Sequence, residues 1–337
     1  MSRHTIKATT TADLMAHPAV KAWRKLAPGK LLPEGVAVVT ERSDKGKRTR
    51  KSEVYQLDGV GIGTSPVIAK RCQRSTAMIE RIIYEEVLEH LPVTVPHYYG
   101  CVEDVDGFFW LFIEDVGDRA FSPLQAEHRR VAARWLGVTH TLASRMEMMA
   151  RLPARGLDYY LGHLRLARHI IQQSLETFTL SCDDIELLRC VVSQLDIVEA
   201  HWTELEACCR EVPWTLIHGD FSPKNVRVRE DSGRMVLLPF DWETGGWGVP
   251  VVDLAQFVRQ SIAPEISDYV SIVRECWPHL RIEMIQSLAN TGRIFRSISS
   301  IGWEAQSLSS TWVTRTMNNM QEYSDMLDVA ICAARLK

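Results

Sequence analysis

The sequence predicts an α+β protein of two lobes: a small β-rich N-terminal lobe with one helix, and a larger, mainly α-helical C-terminal lobe. Short apolar runs separated by turn residues fill the first part of the 337-residue chain. After Gly117, apolar residues instead recur at helical spacing. We therefore place the lobes at residues 1–116 and 117–337, and we expect a binding cleft between two such parts.

Five short strands and one helix are predicted in the N-terminal lobe. The strands are expected over residues 35–41, 53–58, 66–71, 100–104 and 107–115. The helix follows the third strand, from about Ser75 to Leu91, and a turn at Asp106 and Gly107 joins the last two strands. These elements indicate a small antiparallel sheet accompanied by one helix.

Helices dominate the C-terminal lobe, where one strand pair interrupts them before they resume. The helical pattern covers residues 124–144, 160–177 and 184–209. The interrupting strands are NVRVR at 225–229 and RMVLLPFD at 234–241, joined by a turn.

Composition excludes several classes of protein. Apolar residues make up 46% of the chain and charged residues 24%, which excludes a disordered or fibrous protein. No stretch approaches the roughly 20 apolar residues that cross a bilayer, and no apolar segment follows the first charges, so neither a membrane protein nor a secreted one is expected. The eight cysteines form no CxxC pair, so we expect reduced thiols and a cytoplasmic protein.

The net charge of −3 conceals an uneven distribution. Residues 1–81 hold 16 Lys and Arg against 7 Asp and Glu, a net +9, and residues 82–337 hold 23 against 35, a net −12. Such a split indicates different partners for the two parts, although solvated surfaces also vary in this way.

One segment, residues 215–255, contains the side chains with the clearest chemistry. A strand pair keeps its outer ends together, so Asn225 before the first strand and Asp241 after the second converge on one point. An amide oxygen and a carboxylate there make a hard-oxygen site suited to Mg²⁺. Asp220 lies just before that point and can accept a proton from a hydroxyl, so the segment has the parts that phosphoryl transfer needs.

The order HGD at 218–220, Asn225, hairpin and Asp241 resembles the catalytic loop and metal-binding aspartate of the protein-kinase-like superfamily. The resemblance is closest to the branch of aminoglycoside phosphotransferases and choline kinases, which has HGD in place of HRD. WGVPVVDLA, at 247–255, is similar to the G-x-P-x-x-D-L-A tail of the aminoglycoside phosphotransferase family.

This resemblance implies a kinase-like bilobal fold and a role for each matched residue. Asp220 would be the base, and Asn225 and Asp241 would be the metal ligands. Asp253 would brace the catalytic loop, and His218 would support it as a hydrogen-bonded core residue.

The resemblance also requires a lysine on the third strand and a glutamate on the helix after it. Lys70 ends the apolar strand VIAK, where it would hold the α- and β-phosphates. Of three glutamates on the helix, Glu80 lies near the middle of the apolar face, whereas Glu85 and Glu86 lie opposite and at the edge. A buried carboxylate is costly unless it is paired. We therefore expect Glu80 to pair with Lys70.

Two segments are candidates for the remaining nucleotide contacts. The basic loop SDKGKRTRKS, which includes Ser43 and Gly46, would cover the triphosphate, with an ordinary solvated loop as the alternative. A nucleic-acid site is disfavoured because no aromatic residues interleave with these charges. FFWLFIED resembles the hinge strand of the family, so Phe112, Ile113 and Glu114 would line the adenine site.

These features imply a phosphotransferase that moves the γ-phosphoryl of ATP or GTP, with Mg²⁺ as cofactor, to a hydroxyl of a small molecule. The acidic C-terminal part favours a cationic acceptor such as an aminoglycoside. Two alternatives stay open at this stage: a choline, amino-alcohol or sugar kinase of the same fold, and a nucleotide-binding scaffold without activity. Nucleic acids and membranes are not expected as partners, and the oligomeric state is left open.

Overall fold

The computed structural model describes residues 2–6, 11–26, 29, 31–40, 52–148, 150–177, 180–255, 266–309 and 313–336. Contacts divide the chain into two compact units, each formed by two segments. The first unit is Met1–Phe121 with Pro223–Glu243, and the second is Ser122–Ser222 with Thr244–Lys337. The fold therefore departs from a single cut after residue 116, and the assignment of functions to the two predicted lobes stays a prediction.

An antiparallel sheet of six strands forms the centre of the first unit. Its strands are β1 (Ser2–Ile6), β2 (Val36–Thr40), β3 (Ser52–Leu57), β4 (Val67–Gln73), β5 (Tyr98–Glu103) and β6 (Phe108–Glu114). They lie in the order β1-β2-β3-β4-β6-β5. The glycine-rich run Gly59–Gly63 connects β3 to β4, with positive φ angles of 77° and 60° at its two ends. The connection contains a 3₁₀ turn, Ile62–Thr64.

Helices cover both faces of this sheet. On one face lie α1 (Thr11–Ala16) and α2 (Pro18–Leu26), and Trp23 of α2 packs 5.3 Å from Phe112. On the other face lies α3 (Arg74–Ile82), where Ala77 packs in a cluster with Cys72 and Leu111. The sequence analysis predicts five strands and one helix for this part of the chain. Strand β1 and the helices α1 and α2 are not among those predicted elements.

The helix predicted from Ser75 to Leu91 is helical but not uniform. After α3, the chain widens into a π-helical segment, Ile83–Val87, and then tightens into a 3₁₀ turn, Leu88–His90. Tyr84 in the widened segment stacks on Tyr98 of β5 at 5.1 Å.

The hairpin of β9 (Val226–Asp231) and β10 (Arg234–Pro239) belongs to the first unit because its backbone bonds to the end of the N-terminal segment. The amide of Val228 donates to the carbonyl of Arg119 at 3.1 Å, and the amide of Phe121 donates to the carbonyl of Val226 at 3.4 Å. This pairing explains why a hairpin from the middle of the C-terminal half groups with the N-terminal sheet.

The second unit is mainly helical. Its helices are α4 (Ala126–Ala143), α5 (Leu157–Thr177), α6 (Cys182–Ala200), α7 (Trp202–Cys209), α8 (Val251–Ala255), α9 (Ile266–Cys276), α10 (Ile282–Ala305) and α11 (Val313–Ala333). A small sheet adds β7 (Ala154–Arg155), β11 (Gly246–Gly248) and β8 (Thr215–Ile217), in that order. Among the helices that the structure describes, none is long and apolar enough to cross a membrane.

The crossing of α8 and α10 depends on a glycine. A methyl group built on Gly292 would collide with the backbone of Val251. We expect Gly292→Ala to destabilise the protein by about 1–3 kcal/mol, because the two backbones have to separate. Thermal unfolding measures the loss. The matched control is Gly162→Ala in α5, where nothing lies within 4 Å of the added methyl and where alanine favours the helix. Equal melting temperatures for both variants would contradict the prediction.

Candidate active site

In the first unit, Lys70 joins two carboxylates. It lies in β4, paired with Leu111 of β6, and its side chain is 10% exposed. Its Nζ donates to Oε1 of Glu80 at 2.5 Å and to Oδ1 of Asp241. The structure thus brings together the three predicted residues Lys70, Glu80 and Asp241. Glu85, by contrast, bonds to Arg81 at the surface.

Burial and neighbouring charges shift the pKa values of Lys70 and Glu80 in opposite directions. Burial by itself lowers the pKa of Lys70, but the carboxylates of Asp241 and Glu80 raise it well above its ordinary value. Burial raises the pKa of Glu80 to about 7, although Lys70 opposes the rise. Glu243 adds a further negative charge that raises both pKa values. Lys70 is therefore a fixed cation among more negative charge than it can neutralise.

The hairpin brings Asn225 and Asp241 next to each other. Val226 pairs with Pro239, and the amide of Phe240 donates to the carbonyl of Asn225 at 3.0 Å. Asn225 is buried, the Asp241 carboxylate is 35% exposed, and the backbone of Asp241 is left-handed at φ 65°. Amide and carboxylate oxygens are ligands that Mg²⁺ prefers.

No group of three or more His, Cys, Asp or Glu side chains in the described ranges is arranged to hold a metal ion. Mg²⁺ ordinarily takes one or two carboxylates and completes its shell with phosphates and water. The pair Asn225 and Asp241 fits that pattern.

The predicted hinge residues lie at the end of β6, on different faces. Phe112 is buried against Trp23, on the face opposite to Lys70. Its backbone lies between β4 and β5, where it pairs with Ala69 and Gly100. Ile113 alternates to the Lys70 face. Glu114 donates its amide to the carbonyl of His97 at 2.7 Å, and its carboxylate pairs with Arg229. The predicted phosphate-covering residues Ser43 and Gly46 lie outside the described residues.

In the second unit, Asp253 holds the HGD loop through its backbone. Its Oδ2 accepts the amide of His218 at 2.7 Å and its Oδ1 accepts the amide of Gly219 at 2.9 Å. His140, in α4, lies 3.5 Å from Asp253 and contacts the hydroxyl of Tyr269 at 3.0 Å. The carboxylate of Asp253 thereby fixes the backbone immediately before Asp220.

The loop is also tight on its other side. Gly219 has φ 75°, and an added Cβ would lie 2.7 Å from the carbonyl oxygen of Thr244. A left-handed backbone in close contact is a position that only glycine fills without strain. The side chain of His218 is buried and its ring packs edge-on against Phe221 at 5.8 Å.

The sequence analysis did not anticipate the partner of Asp220. Arg296, in α10, donates Nη2 to Oδ1 of Asp220 at 2.7 Å, and both side chains are largely buried. Residues 291–302 of α10 are all buried or half-buried, and an arginine in such a stretch is costly without an anionic partner. That cost is a signal in the sequence, but it does not identify the partner.

Comparisons with known proteins agree with this fold. A model of the phosphotransferase enzyme family matches residues 50–273. None of the curated proteins matches the chain. Among solved structures, a choline kinase from Cryptosporidium parvum is 13% identical, with a TM-score of 0.60, and the match covers 93% of this chain and 95% of that one.

Two antibiotic phosphotransferases are similar to the same extent. A spectinomycin phosphotransferase in complex with ADP and spectinomycin is 12% identical, with a TM-score of 0.57 over 89% of this chain and 93% of the other. A kanamycin and GDP complex of APH(2″) is 13% identical, with a TM-score of 0.59 over 93% and 97%. These likenesses show the protein-kinase-like fold. Since the family match covers about two thirds of its length, the chain belongs to the phosphotransferase enzyme family.

Proposed function

We propose that this protein transfers the γ-phosphoryl group of ATP or GTP to a hydroxyl of a small molecule, with Mg²⁺ as cofactor. The observation that carries the proposal is the buried Lys70 shared between Glu80 and Asp241. A cation fixed in this way, next to the oxygen ligands of Asn225 and Asp241, suits the polyphosphate of a nucleotide.

Each residue has a distinct task in this proposal. Lys70 binds phosphate oxygens, and Glu80 fixes its position. Asn225 and Asp241 would hold Mg²⁺, which when bound neutralises negative charge on the transferring group. Asp220 orients the acceptor hydroxyl and takes its proton as the oxygen bonds to the phosphorus and the nucleoside diphosphate leaves.

The inactive scaffold is the less favoured alternative. A protein that only binds nucleotide has no need of a buried base whose loop is braced by a second carboxylate, yet Asp220 and Asp253 are both present and bonded. Incubation with ATP or GTP and a panel of alcohols, followed by mass spectrometry of the products, tests transfer directly. No phosphorylated product from any acceptor, together with intact nucleotide binding, would favour the scaffold.

We expect Asp241→Ala to remove the effect of Mg²⁺ on nucleotide affinity. Wild-type protein should bind ADP at least about tenfold more tightly with Mg²⁺ than without it, a difference of about 1.4 kcal/mol. In the variant the two affinities should be nearly equal, because Asn225 remains as a lone ligand. Isothermal titration measures both, with Asp231→Ala in the exposed hairpin turn as control. A variant that keeps the full Mg²⁺ effect would remove Asp241 from the metal site.

Two observations favour different acceptors. The net charge of −12 over residues 82–337 favours a cationic acceptor such as an aminoglycoside or a choline-like amino alcohol. Asp220 is instead bonded to Arg296, whose guanidinium lies 5.0 Å from the ring centre of Trp303. Because contacts of a few ångström outweigh a distributed net charge, the surroundings of Arg296 are the stronger guide to the acceptor class.

A further inference from the structure

Arg296 contacts Asp220, although the transfer reaction needs no arginine beside its base. Its side chain is 15% exposed, and its guanidinium lies 5.0 Å from the ring centre of Trp303. Among the described residues, Nη1 of Arg296 has no hydrogen-bond partner, although it is buried. A buried donor without a partner is costly, so this atom is suited to an acceptor group that enters with the substrate.

A second guanidinium belongs to the same neighbourhood. Arg155 donates Nε to the carbonyl of Thr244 at 3.2 Å, and the hydroxyl of Thr244 donates to the carbonyl of His218 at 3.0 Å. Arg155 also lies over the ring of Tyr159 at 4.5 Å. Burial raises the pKa of Tyr159, and the charges of Arg155 and Arg296 oppose the rise. Both guanidinium groups therefore act on one phenol.

The remaining neighbours are aromatic. The ring of His163 lies 4.5 Å from Tyr159 and 6.4 Å from Trp303. Burial lowers the pKa of His163, and the charge of Arg155 lowers it further, so the imidazole is neutral near pH 7. Its Nδ1 is a second buried atom without a hydrogen-bond partner within the described part of the chain.

The two guanidinium groups of this cluster are not both neutralised by a carboxylate. Arg296 pairs with Asp220, whereas Arg155 bonds to a backbone carbonyl and has no carboxylate partner among the described residues. An anionic group would find the unpaired Nη1 of Arg296 and, in Arg155, a second guanidinium. Guanidinium groups bind carboxylates through paired N–H donors at low entropic cost.

We propose that the acceptor is an alcohol that carries a carboxylate, bound by Arg296 and Arg155 while its hydroxyl contacts Asp220. This inference rests on the proposed phosphotransfer, whose base it uses. It gives Arg296 two tasks: it orients the carboxylate of Asp220 and it selects the acceptor.

Malonate is the probe for the carboxylate site, in thermal-shift titrations of the full chain at constant ionic strength set with sodium chloride. We expect saturating malonate, at about 100 times its Kd, to raise the melting temperature by about 4 °C. Malonamide, choline and kanamycin should produce no shift. MgADP in the same assay reports nucleotide binding separately, so failure of the proposed function is distinguishable from failure of this inference.

Variants connect the shift to the two arginines. Arg296→Gln keeps a donor for Asp220 but removes the charge, and it should abolish the malonate shift while the MgADP shift persists. Arg296→Lys should restore part of the malonate shift, which a purely structural role would not predict. Arg155→Gln should reduce the shift. The control is Arg134→Gln, which removes an arginine that is 65% exposed and paired with Asp268, and its malonate shift should equal that of the wild type.

The outcomes divide clearly. A malonate shift that depends on Arg296 supports the inference, and preferential phosphorylation of 3-hydroxybutyrate over 3-hydroxybutyramide would extend it to catalysis. No malonate shift, an equal shift in Arg296→Gln, or a shift with kanamycin or choline in its place overturns the carboxylate-bearing acceptor. A shift with kanamycin or choline would leave the proposed phosphotransfer intact and would favour a cationic acceptor.

Discussion

Asp220→Asn is expected to lower kcat for phosphoryl transfer by about 10²–10⁴-fold, the range that a positioned general base contributes. Asparagine has the shape of aspartate and keeps an oxygen that can accept from Nη2 of Arg296, so the contact at 2.7 Å is replaced rather than lost. What disappears is the ability to take a proton from the acceptor hydroxyl. The fall should appear in kcat, measured in a coupled assay of nucleoside diphosphate release once an acceptor is identified.

Nucleotide affinity distinguishes a lost base from a damaged fold. Lys70, Glu80 and Asp241, which would bind the nucleotide, belong to the first unit, whereas Asp220 belongs to the second. MgADP titration should therefore give the same Kd for Asp220→Asn and for the wild type. Asp253→Asn serves as comparison, because its amide group can no longer accept both backbone amides of the loop, and it should lose both kcat and thermal stability. Full transfer activity in Asp220→Asn would exclude Asp220 as the base.

Local patterns explain why part of the site could be predicted. Helical phase selects Glu80 from three glutamates, and the structure has its carboxylate 2.5 Å from Lys70. The adjacency of Asn225 and Asp241 likewise follows from the pairing of a hairpin whose strands are visible in the sequence. In both cases the residues are close along the chain or joined by a regular element, so elementary geometry relates them.

Other features depend on contacts that the sequence does not encode locally. Arg296 is 76 residues away from Asp220, and only the packing of α10 brings it there. The predicted helix 184–209 is interrupted at His201, between α6 and α7. The carbonyl of Ile197 is shared there between Nδ1 of His201 at 2.9 Å and the backbone amide of His201 at 3.3 Å. No proline or glycine marks this break.

Lys70→Met is expected to destabilise the protein by about 3–5 kcal/mol at pH 8.5, the usual cost of removing one partner from a buried ion pair. The loss should depend on pH in a defined direction. Without the lysine, burial favours the neutral form of Glu80 even more strongly than in the wild type, where burial already raises the pKa of Glu80 to about 7. At pH 6 Glu80 is therefore protonated in both proteins, so the removal of Lys70 leaves little additional buried charge on Glu80.

Above pH 7 the two proteins differ. In the wild type, Glu80 has lost its proton and pairs with Lys70. In the folded variant, Glu80 keeps its proton. In the unfolded variant, where this carboxyl has its ordinary pKa, Glu80 has lost it. A folded state that binds more protons than the unfolded state loses stability as pH rises, so the penalty should grow by up to about 1.4 kcal/mol per pH unit. Urea unfolding at pH 6 and pH 8.5 measures it. The double variant Lys70→Met/Glu80→Gln has no titrating carboxyl at this position, so its own stability should not fall above pH 7 as that of the single variant does. If the single variant were equally destabilised at both pH values, Glu80 would not be the group left unpaired, and the loss would have to come from Asp241 instead.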